Sequence, residues 1–179
     1  MQEIETKVLD VDVEEIKRKL DALGAKEIQN ARLFVDWFRP QGHEEGETPW
    51  FLRIRTNKEG DSEVTWKSKR EFLGVSSTKK EINLKISDED AMSDLFIEIG
   101  MKNYAHQEKD RISWLFKEWQ FDLDQYPGMP AYLGIEGKSE ESIREAIKLL
   151  NLEDKIATPK GERVVITDNY KLDWYNMRF

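Results

Sequence analysis

Charge and apolarity alternate residue by residue along several stretches of this chain. Glu3-Ile4-Glu5-Thr6-Lys7, Arg53-Ile54-Arg55, Thr65-Trp66-Lys67 and Asp122-Leu123-Asp124 all follow the pattern. A period of two is the signature of a strand, whose successive side chains point to opposite faces. One face of each strand is then apolar or aromatic, and the other carries charges about 7 Å apart. Two arrangements accommodate such strands. An open, half-buried sheet leaves the charged face in water. A closed barrel turns that face into a polar lumen and packs the apolar one beneath helices, and eight strands enclose room for one small ligand. The alternation alone does not separate the two.

The count of elements agrees with either. Strands are predicted at 2–9, 26–38, 50–56, 62–70, 76–86, 102–115, 117–125 and 131–138, the last two joined across Pro127-Gly128-Met129-Pro130. A helix is predicted over 12–23, with Val13, Ile16, Leu20 and Leu23 on one stripe, Asp12 and Glu15 as a capping box, and Gly24 as a left-handed stop. Further helices are expected at 88–99, ending at Gly100, at about 140–150, and over Thr167–Trp174. The order helix, Gly, Lys, strand occurs twice, at Leu23–Lys26 and Ile99–Lys102, which hints at an internal duplication. With no linker, low-complexity tract or break in composition, a single domain over residues 1–179 is expected.

Composition narrows the chemistry. There is no cysteine and only His43 and His106, so disulfides, thiolate catalysis and multi-histidine metal sites are excluded. His43 falls in a Gly/Glu-rich loop and reads as a surface residue. Six Trp, five Tyr and eight Phe argue against disorder. No apolar run approaches the roughly 18 residues of a membrane-spanning helix, and Met1 leads into acidic residues rather than a signal peptide. A cytoplasmic protein is expected. The formal charge of −8 disfavours nucleic acid and anionic membranes as partners. Carboxylates, lysines and arginines remain.

Glu3, Glu5 and Lys7 share one strand face, and two carboxylates at that spacing repel unless a cation lies near; oxygen ligands suit Mg²⁺ or Mn²⁺. Arg53 and Arg55 share another face, as do Thr65, Lys67 and Lys69. So do Lys79, Glu81, Asn83 and Lys85; Lys109 and Arg111; and Asp122 and Asp124. Each pair alone is what any wet strand face presents. Converging in a lumen, guanidinium forks and ammonium groups would hold phosphate oxygens while carboxylates held a metal. Neither half would be stable there without the other. Trp114, Phe116, Trp119 and Phe121 read as barrel-wall packing beneath helices, and Trp66 should point outward if Lys67 points in. The apolar tail Trp174–Phe179 could dock on the barrel, meet a second subunit in a homodimer, or close one tunnel mouth.

In order along the chain stand EIETK at Glu3–Lys7, DWF at Asp36–Phe38, LRIR at Leu52–Arg55, VTWK at Val64–Lys67, KKEIN at Lys79–Asn83, KDR at Lys109–Arg111 and DLDQYPGMPAYLGIEG at Asp122–Gly137. Over residues 1 to about 150 this resembles the CYTH superfamily of triphosphate tunnel metalloenzymes, and in particular its class IV adenylyl-cyclase-like branch. The resemblance implies an α+β fold in which eight antiparallel strands close into a tunnel with helices packed outside. It implies that Glu3 and Glu5 bind metal, with Glu81, Asp122, Asp124 and Glu136 completing the acidic set. Lys7, Arg53, Arg55, Lys67, Lys109 and Arg111, with Lys69 and Lys79 beside them, would bind the triphosphate. Lys7, Arg55 and Lys67 are the expected catalytic residues, and Mg²⁺ or Mn²⁺ the expected cofactor.

Two blocks depart from the family pattern. The last strand reads Gly134-Ile135-Glu136 where the family has Glu-x-Glu, and Lys79-Lys80-Glu81-Ile82-Asn83 stands for Arg-x-Glu-x-Glu. Fewer anionic ligands predict a weaker second metal site. The leading expectation is cyclisation of ATP to cyclic AMP and pyrophosphate. The alternatives are hydrolysis of thiamine triphosphate, inorganic triphosphate or a nucleotide, and a non-catalytic barrel that binds polyphosphate or nucleotide.

Overall fold

The alternating strands close on themselves. The computed structural model describes residues 2–44 and 47–179, apart from the side chains of Gln2 and Glu3. Its elements run β1 (Gln2–Val11), α1 (Val13–Leu23), β2 (Lys26–Pro40), β3 (Trp50–Asn57), β4 (Ser62–Ser68), β5 (Glu71–Leu73), β6 (Ser76–Ile86), α2 (Glu89–Glu98), β7 (Met101–Phe116), β8 (Trp119–Gln125), β9 (Ala131–Gly137), α3 (Glu140–Leu149), β10 (Ala157–Thr158), α4 (Glu162–Val164) and β11 (Asn176–Met177). Eight strands form a ring in the order β1-β9-β8-β7-β2-β3-β4-β6, every neighbour antiparallel. Strand β6 returns to β1 through Glu3↔Lys79, Ile4↔Thr78 and Glu5↔Ser77. The ring is uneven. Its longest ladder pairs β2 with β7 from Lys26↔Leu115 to Pro40↔Met101. These are the two strands that the repeated helix–Gly–Lys pattern enters.

Local chemistry sets the helix ends. Asp12 accepts from the Glu15 amide at 2.7 Å, and Gly24 takes the left-handed φ of 75° that stops α1. Asp88 caps α2 in the same way, accepting from Ala91 N at 2.9 Å, and Gly100 follows it at φ 89°.

The apolar faces of the strands point outward beneath these helices. Ile16 and Leu20 of α1 and Ile143, Ala146 and Ile147 of α3 pack on Val8, Phe121, Leu123, Leu133 and Ile135. Trp114 and Trp119 are buried in the same cluster, as their spacing predicted. Helix α2 covers a smaller cluster, Phe96 against Phe38, Leu52, Ile54 and Val64, with Trp66 packed on its edge. Trp66 therefore points away from Lys67. Among the described residues, no helix is long and apolar enough to cross a membrane.

The C-terminal segment departs from the predicted helix over Thr167–Trp174. Helical winding spans α4 and residues 165–169 instead, and the chain is then irregular up to Trp174. Burial explains the shift. Val165 and Ile166 are fully buried, so the winding forms where they face the barrel, and the drawn-out chain beyond carries Trp174 back to Trp37 at 5.2 Å between ring centroids. Together with Met177 these residues cover lumen-facing Leu9, Leu33, Val35, Tyr126 and Tyr132. Strand β11 pairs with β7 at His106 and Gln107, and Gln107 donates to the Trp174 carbonyl at 2.5 Å. The tail thus closes an apolar part of the lumen.

Candidate active site

What the closure leaves inside is a cavity of about 680 Å³. Lys7, Arg53, Arg55, Lys67, Lys69, Lys79, Lys109 and Arg111 all line it, as do Glu5, Glu81, Asp122, Asp124 and Glu136. Of the sequence-predicted residues only Glu3 is missing from this gathering, because its side chain lies outside the described residues. Among the described lining residues ten are Lys or Arg and seven are Asp or Glu. A chain with a formal charge of −8 has therefore built a cationic interior.

Most of these charges are paired. Glu5 is held by three cations, Lys79 at 2.7 Å, Arg70 at 2.8 Å and Lys7 at 3.4 Å. Burial alone would raise its pKa, but Lys7, Lys79 and Arg70 hold it well below the usual carboxylate range. Arg111 reaches both Asp124 oxygens at 2.6 Å and Asp122 at 2.8 Å. Lys109 is 1% exposed and sits between Asp124 at 3.0 Å and Glu162 at 3.3 Å, over the Tyr126 ring. Arg55 pairs with Glu63, and Lys67 with Glu81. Lys69 is exposed at the rim.

Two groups stand apart. Arg53 is buried over the Trp37 ring, 5.5 Å from its centroid, with no ion-pair partner among the described residues and an unpartnered Nε. Glu136 faces Glu5 across β1 and β9 and makes no ion pair with a described residue. Burial, then the negative charges of Asp122 and Glu5, push its carboxyl up to about 6. Elsewhere the crowding runs the other way: burial, with Arg53 and Lys79 nearby, pushes Lys67 down to about 7.

The donor set suits a hard cation at Glu136, where carboxylate charge is uncompensated. Asp124 and Glu5 are already neutralised by cations, and no cluster of three or more potential ligands forms among the described residues. Gly134 lies opposite Lys7 and Asp122. A Cβ there would meet only Asp122, at 3.5 Å and beyond, so packing does not demand the glycine.

Sequence reasoning missed Arg70, Glu63 and Glu162. Strand β4 ends at Ser68 rather than at 70, which breaks the alternation and turns Arg70 inward to Glu5, to Ser77 Oγ at 2.7 Å and to the Pro159 carbonyl at 2.9 Å. Glu63 was legible, since it shares parity with Thr65 and Lys67. Glu162 had no signal in the alternation, because it comes from the tail.

Comparison with known proteins agrees with this geometry. The CYTH domain family model matches residues 1–164. A protein of Methanocaldococcus jannaschii named as a putative adenylate cyclase is 30% identical over 150 residues, 84% of each chain. The solved structure of a Pyrococcus horikoshii protein superposes with a TM-score of 0.73 at 25% identity, covering 89% of this chain and 96% of the other. A putative adenylyl cyclase of Hippeastrum with a dominant triphosphatase activity gives 0.69 at 15% identity, over 96% and 97% of the two chains. At that identity the likeness bears on the fold alone.

Proposed function

The chain belongs to the CYTH domain family, and on that premise we propose that it is a Mg²⁺- or Mn²⁺-dependent enzyme that takes a nucleoside triphosphate into its lumen and converts ATP to cyclic AMP and pyrophosphate. The observation that carries this reading is Arg53. A buried guanidinium with no ion pair among the described residues, offset only at longer range by Glu162, gains from an anion that joins it. The excess of cations around it calls for a ligand of several negative charges, and a triphosphate supplies them in one molecule.

The chain's own residues mainly position. Arg53 and Arg55 offer planar forks to adjacent phosphate oxygens, and Lys7 and Lys67 add point charges on the neighbouring walls. Such fixed charges are already oriented before the reaction, so developing charge on phosphoryl oxygens meets them without reorganisation. Glu136, which makes no ion pair with a described residue, would hold the divalent ion. Bound there, the ion would neutralise phosphoryl oxygens and polarise the phosphorus toward attack. In cyclisation the ribose 3′-hydroxyl attacks the α-phosphorus and pyrophosphate leaves.

Hydrolysis is the second reading, with water attacking a terminal phosphorus. The exposed rim at Lys69 and Phe72, which leaves the lumen accessible to solvent, favours it. Incubation with ATP or tripolyphosphate plus Mn²⁺, followed by chromatography, tests both. Cyclic AMP with pyrophosphate is the expected product, orthophosphate would replace it by the second reading, and tight binding without turnover would make the barrel a carrier.

A further inference from the structure

The lining of the lumen is not polar throughout. Phe51 stands on the same face of β3 as Arg53 and Arg55, two positions and so about 7 Å from Arg53. It lies directly across from Lys67 on β4. The ring is 43% exposed. It is nevertheless held in place. Trp37 meets it edge-on, with centroids 6.4 Å apart and planes at 84°, and Trp37 is itself fixed by its packing on Trp174 and by a hydrogen bond from its Nε1 to Gln107. Phe51 is thus buttressed on one side and open on the other. Phe72, opposite Ser77 on β5, is 66% exposed and lines the same cavity.

An aromatic ring fixed by its neighbours yet left open to water beside a row of cations contributes little to the core. Its open surface awaits a partner that is apolar and planar. A ligand made only of phosphate would leave it in water. A triphosphate ester with a planar aromatic group would set its charges on Arg53, Arg55 and Lys67 while the group covered Phe51.

We propose that Phe51 is a specificity residue that selects triphosphates carrying a planar aromatic group, nucleoside triphosphates among them, over inorganic tripolyphosphate. The proposal rests on the reading of the lumen as a triphosphate site. Stacking tolerates any base, because every base has a π-face, and it grows with ring area. Purine nucleotides therefore bind more tightly than pyrimidine nucleotides.

Titration calorimetry on the full chain tests this, with ATP, CTP and tripolyphosphate as ligands. Phe51→Ala weakens ATP by about tenfold or more, the loss that removal of a stacking ring produces, so that the ratio of ATP to tripolyphosphate affinity falls by a similar factor. Phe51→Trp keeps the wild-type ratio and so separates stacking from a general disturbance of the strand. If Phe51→Ala weakened both ligands equally, or neither, the proposal would be overturned while tripolyphosphate binding by the wild type still supported the lumen reading. If the wild type bound neither ligand, the reading and the proposal would fall together.

Discussion

The ammonium of Lys109 donates to the carboxylate of Glu162 at 3.3 Å, tying β7 to a side chain 53 residues further along the sequence. Tyr132 donates its hydroxyl to the same oxygen at 3.2 Å. Glu162 opens the segment that covers the lumen with Val165, Ile166 and Trp174, so this contact fixes where the cover begins. Burial would raise the pKa of Glu162, but Lys109 and then Arg53 bring it down to about 2.

A carboxylate held from its ordinary 4.5 down to about 2 stabilises the folded state in full above pH 4.5, and that contribution is lost as pH falls toward 2. The shift corresponds to on the order of 3 kcal/mol. Glu162→Gln should lose most of this at pH 7, and its stability should fall less steeply between pH 4.5 and 2. Guanidinium unfolding followed by tryptophan fluorescence at several pH values measures the difference. Parallel acid limbs in the two proteins would refute the role given to the pair.

Two arginines of the lumen should behave in opposite ways. Removing Arg111 strips a fork from Asp124, which keeps Lys109, and leaves buried Asp122 without an ion pair among the described residues, so Arg111→Gln should cost about 3–5 kcal/mol of stability. Removing Arg53 breaks no ion pair with a described residue, and it takes from Glu162 only the lesser of the two cations that hold its pKa down. Arg53→Gln should therefore cost far less stability than Arg111→Gln, yet weaken tripolyphosphate binding at least tenfold, as loss of a charge-assisted contact does. Scanning calorimetry and titration calorimetry on the two variants check the contrast.

The ring itself was legible because period-two charge alternation is a local property. Arg53-Ile54-Arg55 and Thr65-Trp66-Lys67 each declare which side faces inward, and the inward sets meet as their parity requires. Closure was not legible from alternation alone, since the β1–β6 junction depends on the short stretch Gln2–Glu5 meeting Ser77–Lys80 across the sequence. It came from the resemblance. The partners of each charge were hidden for the same reason. Nothing local tells Lys109 that a tail carboxylate will meet it, or Arg70 that β4 stops two residues before it.

Glu5 is the sharpest case of a role changed by its neighbours. With Lys7, Arg70 and Lys79 all on its two oxygens, it neutralises the lumen before any ligand arrives. Glu5→Gln should therefore lower the melting temperature of the free protein by several degrees, because three buried cations lose their counter-charge. Tripolyphosphate should restore much of that loss by supplying the missing anion. Thermal melts with and without the ligand measure this, and a variant as stable as the wild type in the free state would contradict it.

Glu136 offers the complementary test. It makes no ion pair with a described residue, and Asp122 and Glu5 add negative charge beside it. A divalent ion that binds the folded state there stabilises it by mass action, about 1.4 kcal/mol at ten times its dissociation constant. For a domain of this size that raises the melting temperature by roughly 3–6 °C. The wild type should show the rise with Mg²⁺ or Mn²⁺ and not with Na⁺ at equal ionic strength. Glu136→Gln should abolish it, and should itself be no less stable than the wild type without metal, since the substitution removes a like-charge repulsion. A variant that kept the full divalent-ion shift would place the ion elsewhere in the lumen.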